Sequence, residues 1–317
     1  MTKVVAVQMQ GRVADVSYNL AHIRELLDEA IRFNPKIIAL PEFFTTPIVQ
    51  DNRLWGCSLP PENQALELLK EYAQNYQVFI GGSYLEKRNH DVYNCYTLVQ
   101  PDGTITRHDK DLPTMIENAY YKGGNDDGFH QTSLGKVGTA VCWETIRTQT
   151  VKRLIGRIDF LMTGSHWWAP PVDWVVLKQF LKTMDQMNRQ IMYETPSRFA
   201  RLLGVANIHA AHSGKLNGKL PTIPLNRFSL PFNSYLIGET QIIDNKGEIV
   251  ARMSVEEGAG VISADINLKP SKPSEALTNR FWIPKLPLRF HFFWHQQNWS
   301  AKGLYRYAKK NNLLKAL

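Results

Sequence analysis

Apolar residues recur along the chain with two different periods. The run at residues 36–40, bounded by Pro35 and Pro41, is short and nearly continuous, which is typical of a buried strand. Residues 19–33 instead place their apolar side chains at helical spacing on one side. The same criteria predict strands at residues 4–8, 36–40, 78–84, 94–99, 137–141, 160–163, 235–243, 248–252 and 261–266, a strand beginning at residue 105, and helices at residues 19–33, 65–75 and 175–192.

Two turns show how some of these strands are connected. Pro101-Asp102-Gly103 and Asp244-Asn245-Lys246-Gly247 have the residue types of tight turns, so each predicts a hairpin. Strands that alternate with helices early, followed by hairpins later, predict an α/β fold in which a mixed sheet is covered by helices. No repeat, low-complexity tract or linker precedes about residue 270. We therefore expect one domain at residues 1–270 and a C-terminal extension at residues 271–317.

The extension holds the net charge of the protein. The 317 residues include 37 Lys and Arg against 29 Asp and Glu, a formal net charge of +8. Residues 276–317 contain eight basic residues and no acidic one, so the remainder is balanced, and nine aromatic residues lie among them. So many aromatic side chains would be unusual on the surface of a monomer, which favours a contact with a second subunit. Attachment to a membrane surface is the second interpretation, and nucleic-acid binding is a distant third.

The cysteines indicate a reducing compartment. Cys57, Cys95 and Cys142 form no CxxC pair and no zinc-type cluster, and a chain of this length needs no disulfide to fold. The N-terminus leads directly into a strand without the apolar segment of a signal peptide, and no run of about 18 apolar residues occurs. We expect a cytoplasmic protein.

Three chemically active side chains follow three of the predicted strands. Glu42 comes just after residues 36–40, Lys110 follows the strand that begins at residue 105, and Cys142 follows residues 137–141. Ligands of open α/β sheets bind beyond the carboxyl ends of the strands, so these side chains would converge.

A carboxylate, an ammonium group and a thiol make a coherent catalytic set. Glu42 would take the thiol proton of Cys142 and return it to a leaving amine, if burial raised its pKa toward neutrality. Lys110 and a backbone N–H after Cys142 would stabilise a developing oxyanion. Taken singly, each residue has an ordinary interpretation, since a Cys in an apolar strand is usually a small buried hydrophobe, and Cys95 keeps that interpretation.

The residues that flank these three side chains support the catalytic hypothesis more strongly than any one of the side chains does alone. Leu40-Pro41-Glu42-Phe43-Phe44, Lys110 with Leu112-Pro113, and Gly138-Thr139-Ala140-Val141-Cys142-Trp143-Glu144 resemble the three catalytic segments of the nitrilase superfamily of carbon–nitrogen hydrolases, in the same order. The resemblance runs from about Val4 to Ile266.

The resemblance implies a fold and a mechanism. The fold is a four-layer α-β-β-α sandwich whose C-terminal segments commonly pack across a dimer. The Cys forms a thioester or thioimidate with the substrate, the Glu acts as general base, and the Lys stabilises the tetrahedral intermediate. A second glutamate often follows the lysine, and Glu117 occupies that place. The resemblance implies no metal and no organic cofactor.

The three segments that resemble the family do not distinguish a nitrile substrate from an amide substrate. The start Cys142-Trp143-Glu144 looks like the nitrile-hydrolysing branch, whereas the residues from Glu117 to Gly124 also look like amidase members. Trp143, His166 and Trp167 are predicted to line the substrate pocket. The segment 170–196, rich in Trp and Met, would either form a lid or be an ordinary surface helix.

Four functions therefore remain. The leading one is hydrolysis of a small amide or carbamoyl compound, and the close alternative is hydrolysis of a nitrile to acid and ammonia. Acyl transfer to an amine uses the same thioester and is less favoured. A catalytically silent scaffold is disfavoured, because Glu42, Lys110 and Cys142 are all present.

Overall fold

Successive residues of the first strand face two different apolar layers. The computed structural model describes residues 1–174, 178–221 and 229–317. In strand β1 (Thr2–Met9), Val5 and Val7 pack with helix α1 (Val16–Ala30), whereas Val4 and Ala6 pack against a second sheet. Because strand side chains alternate between faces, one strand contributes to both cores.

The remaining elements follow in chain order. The strands are β2 (Ile37–Ala39), β3 (Phe79–Arg88), β4 (Asp91–Val99), β5 (Ile105–Asp109), β6 (Phe129–Thr132), β7 (Gly135–Val141), β8 (Phe160–Ser165), β9 (Ala206–Pro221), β10 (Ser229–Ile243), β11 (Ile249–Ser254) and β12 (Gly260–Ile266). The helices are α2 (Gln64–Tyr76), α3 (Thr148–Leu154), α4 (Lys178–Leu203) and α5 (Leu288–Lys310).

The strands form two half-sheets that join at β1 and β9. The order is β5-β4-β3-β2-β1-β9-β8-β7-β6, with β12 beside β1 and β10 and β11 beyond β9. The inner pairs β1–β2, β2–β3, β7–β8 and β8–β9 are parallel, whereas the outer pairs are antiparallel. The result is the mixed sheet that the sequence predicts.

The layers are those of an α-β-β-α sandwich. Ile37 of β2 and Phe160 of β8 share the core between the two half-sheets. Helices α1 and α2 cover one half-sheet, and α3 and α4 cover the other. The four-layer fold is therefore confirmed, and it brings the carboxyl ends of β2 and β7 to one end of the sandwich.

Several elements lie outside the predicted set. Strand β9 has mixed polarity and two glycines, and β6, α3 and α5 are likewise additional to the predicted elements. The helix predicted at residues 175–192 lies partly outside the described residues, and α4 continues through Pro196 to Leu203. A proline inside a helix costs about 3 kcal/mol, and burial of Phe199 and Leu202 against β7 and β8 offsets that cost.

The C-terminal extension packs on the rest of its own chain. Helix α5 begins directly after Pro287. Its residues Ala301, Leu304 and Ala308 belong to the same apolar core as the buried side chains of α2. The expectation that the extension exposes its aromatic side chains is wrong for two of the nine, since Trp282 and Phe290 are buried. No helix among the described residues is long and apolar enough to span a membrane.

Strand β8 passes so close to the segment after β2 that residue 164 has no room for a side chain. A Cβ on Gly164 would lie 2.7 Å from the backbone nitrogen of Glu42 and 3.1 Å from the carbonyl carbon of Pro41. Both are backbone atoms and cannot rotate away, so the glycine sets the position of the segment that carries Glu42.

We predict that Gly164→Ala lowers the free energy of unfolding by about 1–3 kcal/mol, because the backbone after β2 has to shift. Chemical denaturation measures this. The matched control is Gly56→Ala, whose Cβ would meet no atom within 4 Å. Equal stability of the two variants would contradict the close contact.

Candidate active site

Glu42 lies at the centre of a buried hydrogen-bond network. Its side chain is fully buried just beyond β2. Its Oε1 accepts hydrogen bonds from Lys110 Nζ at 2.9 Å and from Asn94 Nδ2 at 2.8 Å, and its Oε2 accepts one from the backbone N–H of His166 at 2.9 Å. Both carboxylate oxygens are therefore held, by donors from β4 and from the segments that follow β5 and β8.

Lys110 joins Glu42 to a second carboxylate. Its Nζ is fully buried and also donates to Glu117 Oε2 at 2.7 Å. Glu117 Oε2 further accepts hydrogen bonds from the backbone N–H of Thr114 at 2.9 Å and from the hydroxyl of Tyr121. The structure thus places the predicted second glutamate against the lysine.

Cys142 opens a short 3₁₀ helix directly after β7, and its backbone has φ +50°. Phe43, next to Glu42, has φ +55°, and Met115, in the segment between Lys110 and Glu117, has φ +53°. Left-handed backbone costs a non-glycine residue about 1–2 kcal/mol, and such conformations cluster at functional sites. All three segments that carry the predicted residues contain one.

Burial and neighbouring charges set the protonation states. Burial raises the pKa of Glu42 to about 7, although Lys110 opposes the shift. Burial and the nearby Glu42 raise the pKa of the Cys142 thiol well above its usual range, and the Lys110 charge and the His166 N–H oppose this. For Lys110, burial lowers the pKa, but Glu117 and Glu42 outweigh it and raise the pKa well above its ordinary value. Near neutral pH the site therefore holds a neutral thiol beside a carboxyl group that can accept its proton.

The surroundings distinguish Cys142 from the other two cysteines. All three are free and buried, and burial raises the pKa of each of the other two thiols, to about 11 for Cys57 and well above the ordinary value for Cys95. A raised pKa is therefore no mark of the nucleophile. Cys142 alone among them lines the large cavity described below.

A second buried network holds the turn that carries Cys142. Glu144 Oε2 accepts from the backbone N–H of Val141 at 2.8 Å and pairs with His108 Nε2 at 2.9 Å, while His108 Nδ1 pairs with Asp126. Burial lowers the pKa of His108, but Glu144 and Asp126 outweigh it and raise that pKa to about 10. A charged imidazolium between two carboxylates thus links the end of β5 to the turn after β7.

The cavity above Cys142 has a volume of about 420 Å³. The predicted residues Trp143, His166 and Trp167 all line it. The His166 ring accepts a hydrogen bond from the backbone N–H of Ile48 at 3.1 Å. The α4 part of segment 170–196 contributes to the wall, as the lid interpretation requires. Further lining residues are Trp168, Pro170, Pro171, Trp174, Phe180, Leu181, Met184, Leu220, Leu230, Phe290, Phe292 and Phe293.

Several functional contacts lie beyond the sequence prediction. Asn94 lies in a predicted strand and Tyr121 in the segment from Glu117 to Gly124, and neither was predicted to contact the site. The spacing of Tyr121, four after Glu117, was the available signal. Asn298 of α5 accepts hydrogen bonds from the backbone N–H of Met115 and from Asn118 Nδ2, both at 2.7 Å. No local pattern predicts a contact across 180 residues. Within the described ranges, no group of three or more His, Cys, Asp or Glu is arranged to hold a metal ion.

Comparison of the sequence with known proteins identifies a family that the chain resembles. The family model described as carbon-nitrogen hydrolase matches residues 3–159. A probable nitrilase of Schizosaccharomyces pombe is 22% identical over 90% of this chain and 95% of its own length. An omega-amidase of Yersinia enterocolitica is 34% identical over 49% of this chain and 59% of its own length. A cyanide hydratase of Armillaria gallica is 23% identical over 53% of this chain and 52% of its own length.

Solved structures agree on the fold. A carbon-nitrogen hydrolase from Helicobacter pylori has a TM-score of 0.63 at 19% identity, covering 84% of this chain and 89% of its own. An amidase from Nesterenkonia sp. AN1 has a TM-score of 0.62 at 13% identity, covering 86% of this chain and 92% of its own. The chain belongs to the carbon–nitrogen hydrolase family, the nitrilase superfamily.

Proposed function

We propose that this protein hydrolyses the carbon–nitrogen bond of an amide or carbamoyl compound through a thioester on Cys142. The observation that carries the proposal is the buried set of Glu42, Lys110 and Glu117, whose charges act on the Cys142 thiol. Cys142 and Glu117 line the cavity directly. The family supports a hydrolase in general, and the relatives include nitrilases, omega-amidases and cyanide hydratases.

The first half of the reaction forms the thioester. Glu42 takes the proton of the Cys142 thiol as the sulfur attacks the carbonyl carbon. The carbonyl oxygen becomes an oxyanion, which the Lys110 ammonium and the backbone N–H after Cys142 stabilise. The carbon–nitrogen bond then breaks, and Glu42 returns its proton to the nitrogen, which leaves as ammonia or an amine.

The second half regenerates the thiol. Water attacks the thioester carbon while Glu42 takes one of its protons, and the tetrahedral intermediate uses the same two donors. The carbon–sulfur bond breaks, the carboxylic acid leaves, and the proton passes from Glu42 to the Cys142 sulfur. Glu117 accepts from Lys110 throughout and holds the ammonium in place.

A nitrile is the second candidate substrate, because two relatives that align over 90% and 89% of this chain are named as a probable nitrilase and a nitrilase. The sulfur would add to the nitrile carbon to give a thioimidate, and water would convert this to the thioester with release of ammonia. The same side chains would act in each step. The residues of the site are compatible with both reactions.

We predict that the protein releases ammonia from one or more members of a panel of amides, carbamoyl compounds and nitriles, and that Cys142→Ala abolishes this release. The reason is that the Cys142 sulfur is the protein atom that forms the covalent bond to the substrate. The control is Cys57→Ala, which removes a free buried thiol outside the cavity. Release that survives in Cys142→Ala would refute the mechanism, and the preferred substrate separates amidase from nitrilase.

We further propose that the protein works in the reducing cytoplasm as a homo-oligomer through α5. Leu288 and Trp299 share the outer face of α5 and are 85% and 64% exposed. Helix α5 carries basic residues toward its C-terminus and no acidic one. Antiparallel pairing of two copies would cover the apolar part and keep the basic ends apart.

For this pairing we expect light scattering to give a dimer or a higher assembly for the native protein and a smaller species for Trp299→Lys. A lysine at this position would lose its hydration on association, and the contact offers no acidic partner to compensate for that cost. Val250→Lys, at a 48% exposed position on β11, is the control and should leave the assembly unchanged. A monomeric native protein, including one that binds anionic vesicles through α5, would contradict the pairing.

A further inference from the structure

The cavity above Cys142 is larger and more apolar than a small amide requires. Its volume of about 420 Å³ falls in the range of pockets that hold drug-sized ligands. The walls near Cys142 are formed by Trp143 and Trp167, and the rim includes the exposed rings of Phe180 and Phe292. A substrate that filled this space would carry a long or aromatic apolar body beyond its reacting carbon.

One wall residue is a cation that forms no ion pair with an acid among the described residues. Arg289 lines the cavity and is half-buried, and it is the only permanently cationic lining residue in the part of the chain that the structure describes. No ion pair of the described residues includes it. Its partners are the Met187 sulfur, 3.0 Å from Nη2, and the Phe180 ring, whose centroid is 5.0 Å from the guanidinium carbon.

These partners leave the guanidinium incompletely satisfied. A thioether sulfur is a weak acceptor, and the Nε of Arg289 is buried without any hydrogen-bond partner. A buried donor that finds no acceptor costs free energy, and an arginine normally recovers that cost with a carboxylate or phosphate. Gln296 and Gln297 lie two turns further along α5 and line the same cavity, so this side of the wall is polar.

We propose that Arg289 binds a carboxylate at the end of the substrate remote from the reacting carbon. This rests on the proposed function and adds the substrate class to it: an amide or nitrile with an apolar body and an acidic far end. The exposed rings of Phe180 and Phe292 place Arg289 near the rim, whereas Cys142 is buried at the base. An extended substrate would span the two, with its apolar part against the tryptophans.

A purely structural role for Arg289 makes a different prediction. If the guanidinium served only to hold α4 through Phe180 and Met187, its removal would weaken the binding of acidic and neutral ligands alike. If it binds a carboxylate, its removal reduces the advantage of the acidic ligand over its neutral counterpart. The ratio of the two dissociation constants therefore separates the roles.

The test measures binding by calorimetry to the Cys142→Ala protein, so that turnover does not interfere. The ligands are octanedioic acid monoamide and its methyl ester, which share the amide and the apolar chain and end in a carboxylate and in a neutral ester. We expect the acid to bind about tenfold or more tightly, as for a charge-assisted hydrogen bond. Adding Arg289→Met should bring the ratio close to one, and Arg289→Lys should restore part of it.

The control is Arg280→Met, which removes an exposed arginine of the same extension that does not line the cavity. It should leave the ratio as it is. Equal affinity for the two ligands, undetectable binding of both, or a preference that persists in Arg289→Met would overturn the proposal. A preference that depends on Arg289, together with no ammonia release by the native protein, would refute the hydrolysis and leave the carboxylate site standing.

Discussion

The buried ammonium of Lys110 between two glutamates is the interaction on which the site depends. Removing charges from water costs several kcal/mol per ion, and here one cation faces both Glu42 and Glu117 in a fully enclosed space. The desolvation that remains uncompensated appears as the raised pKa of Glu42, about 7. A carboxyl group with that pKa can take a proton and return it near neutral pH, which an exposed glutamate does poorly.

The fold holds the three side chains of the site at the ends of its strands. Glu42, Lys110 and Cys142 follow β2, β5 and β7, and each lies on a segment with a left-handed residue that only tight surrounding packing maintains. The absence of a side chain at Gly164 allows β8 to approach the Glu42 backbone. The imidazolium of His108 holds Glu144 and with it the turn of Cys142.

The C-terminal extension belongs to this architecture. Asn298 anchors the backbone of Met115, whose segment joins Lys110 to Glu117, and Trp282 packs edge-on against Trp143 with ring centroids 5.2 Å apart. Helix α5, which contains Asn298, also supplies Arg289 and several aromatic residues to the cavity wall. The segment that contacts the loop after Lys110 therefore also shapes the cavity above Cys142.

The sequence predicted the fold where the physics is local. Buried strands such as residues 36–40 and the hairpin turns have short-range patterns. The positions of Glu42, Lys110 and Cys142 just after predicted strands indicated that they converge, and the family resemblance of their flanking residues suggested their roles. Strand β9 and helix α5 escaped prediction, because mixed polarity in the first and clustered aromatics in the second give no clear period. The contacts of Asn298, His108 and Arg289 join segments distant in sequence, so only the folded chain shows them.

The measurement that tests the central claim most directly is the pH dependence of Cys142 alkylation by a small iodoacetamide-type reagent, followed by peptide mapping. If Glu42 accepts the thiol proton, labelling of Cys142 should precede that of Cys57 and Cys95. Its rate should fall below a midpoint near pH 7, where Glu42 becomes protonated. In Glu42→Gln the midpoint should move above pH 7. Loss of the Glu42 charge removes one cause of the raised thiol pKa, but burial, the larger cause, remains and no base takes the proton. An unchanged profile in that variant, or labelling of Cys57 or Cys95 first, would contradict the account.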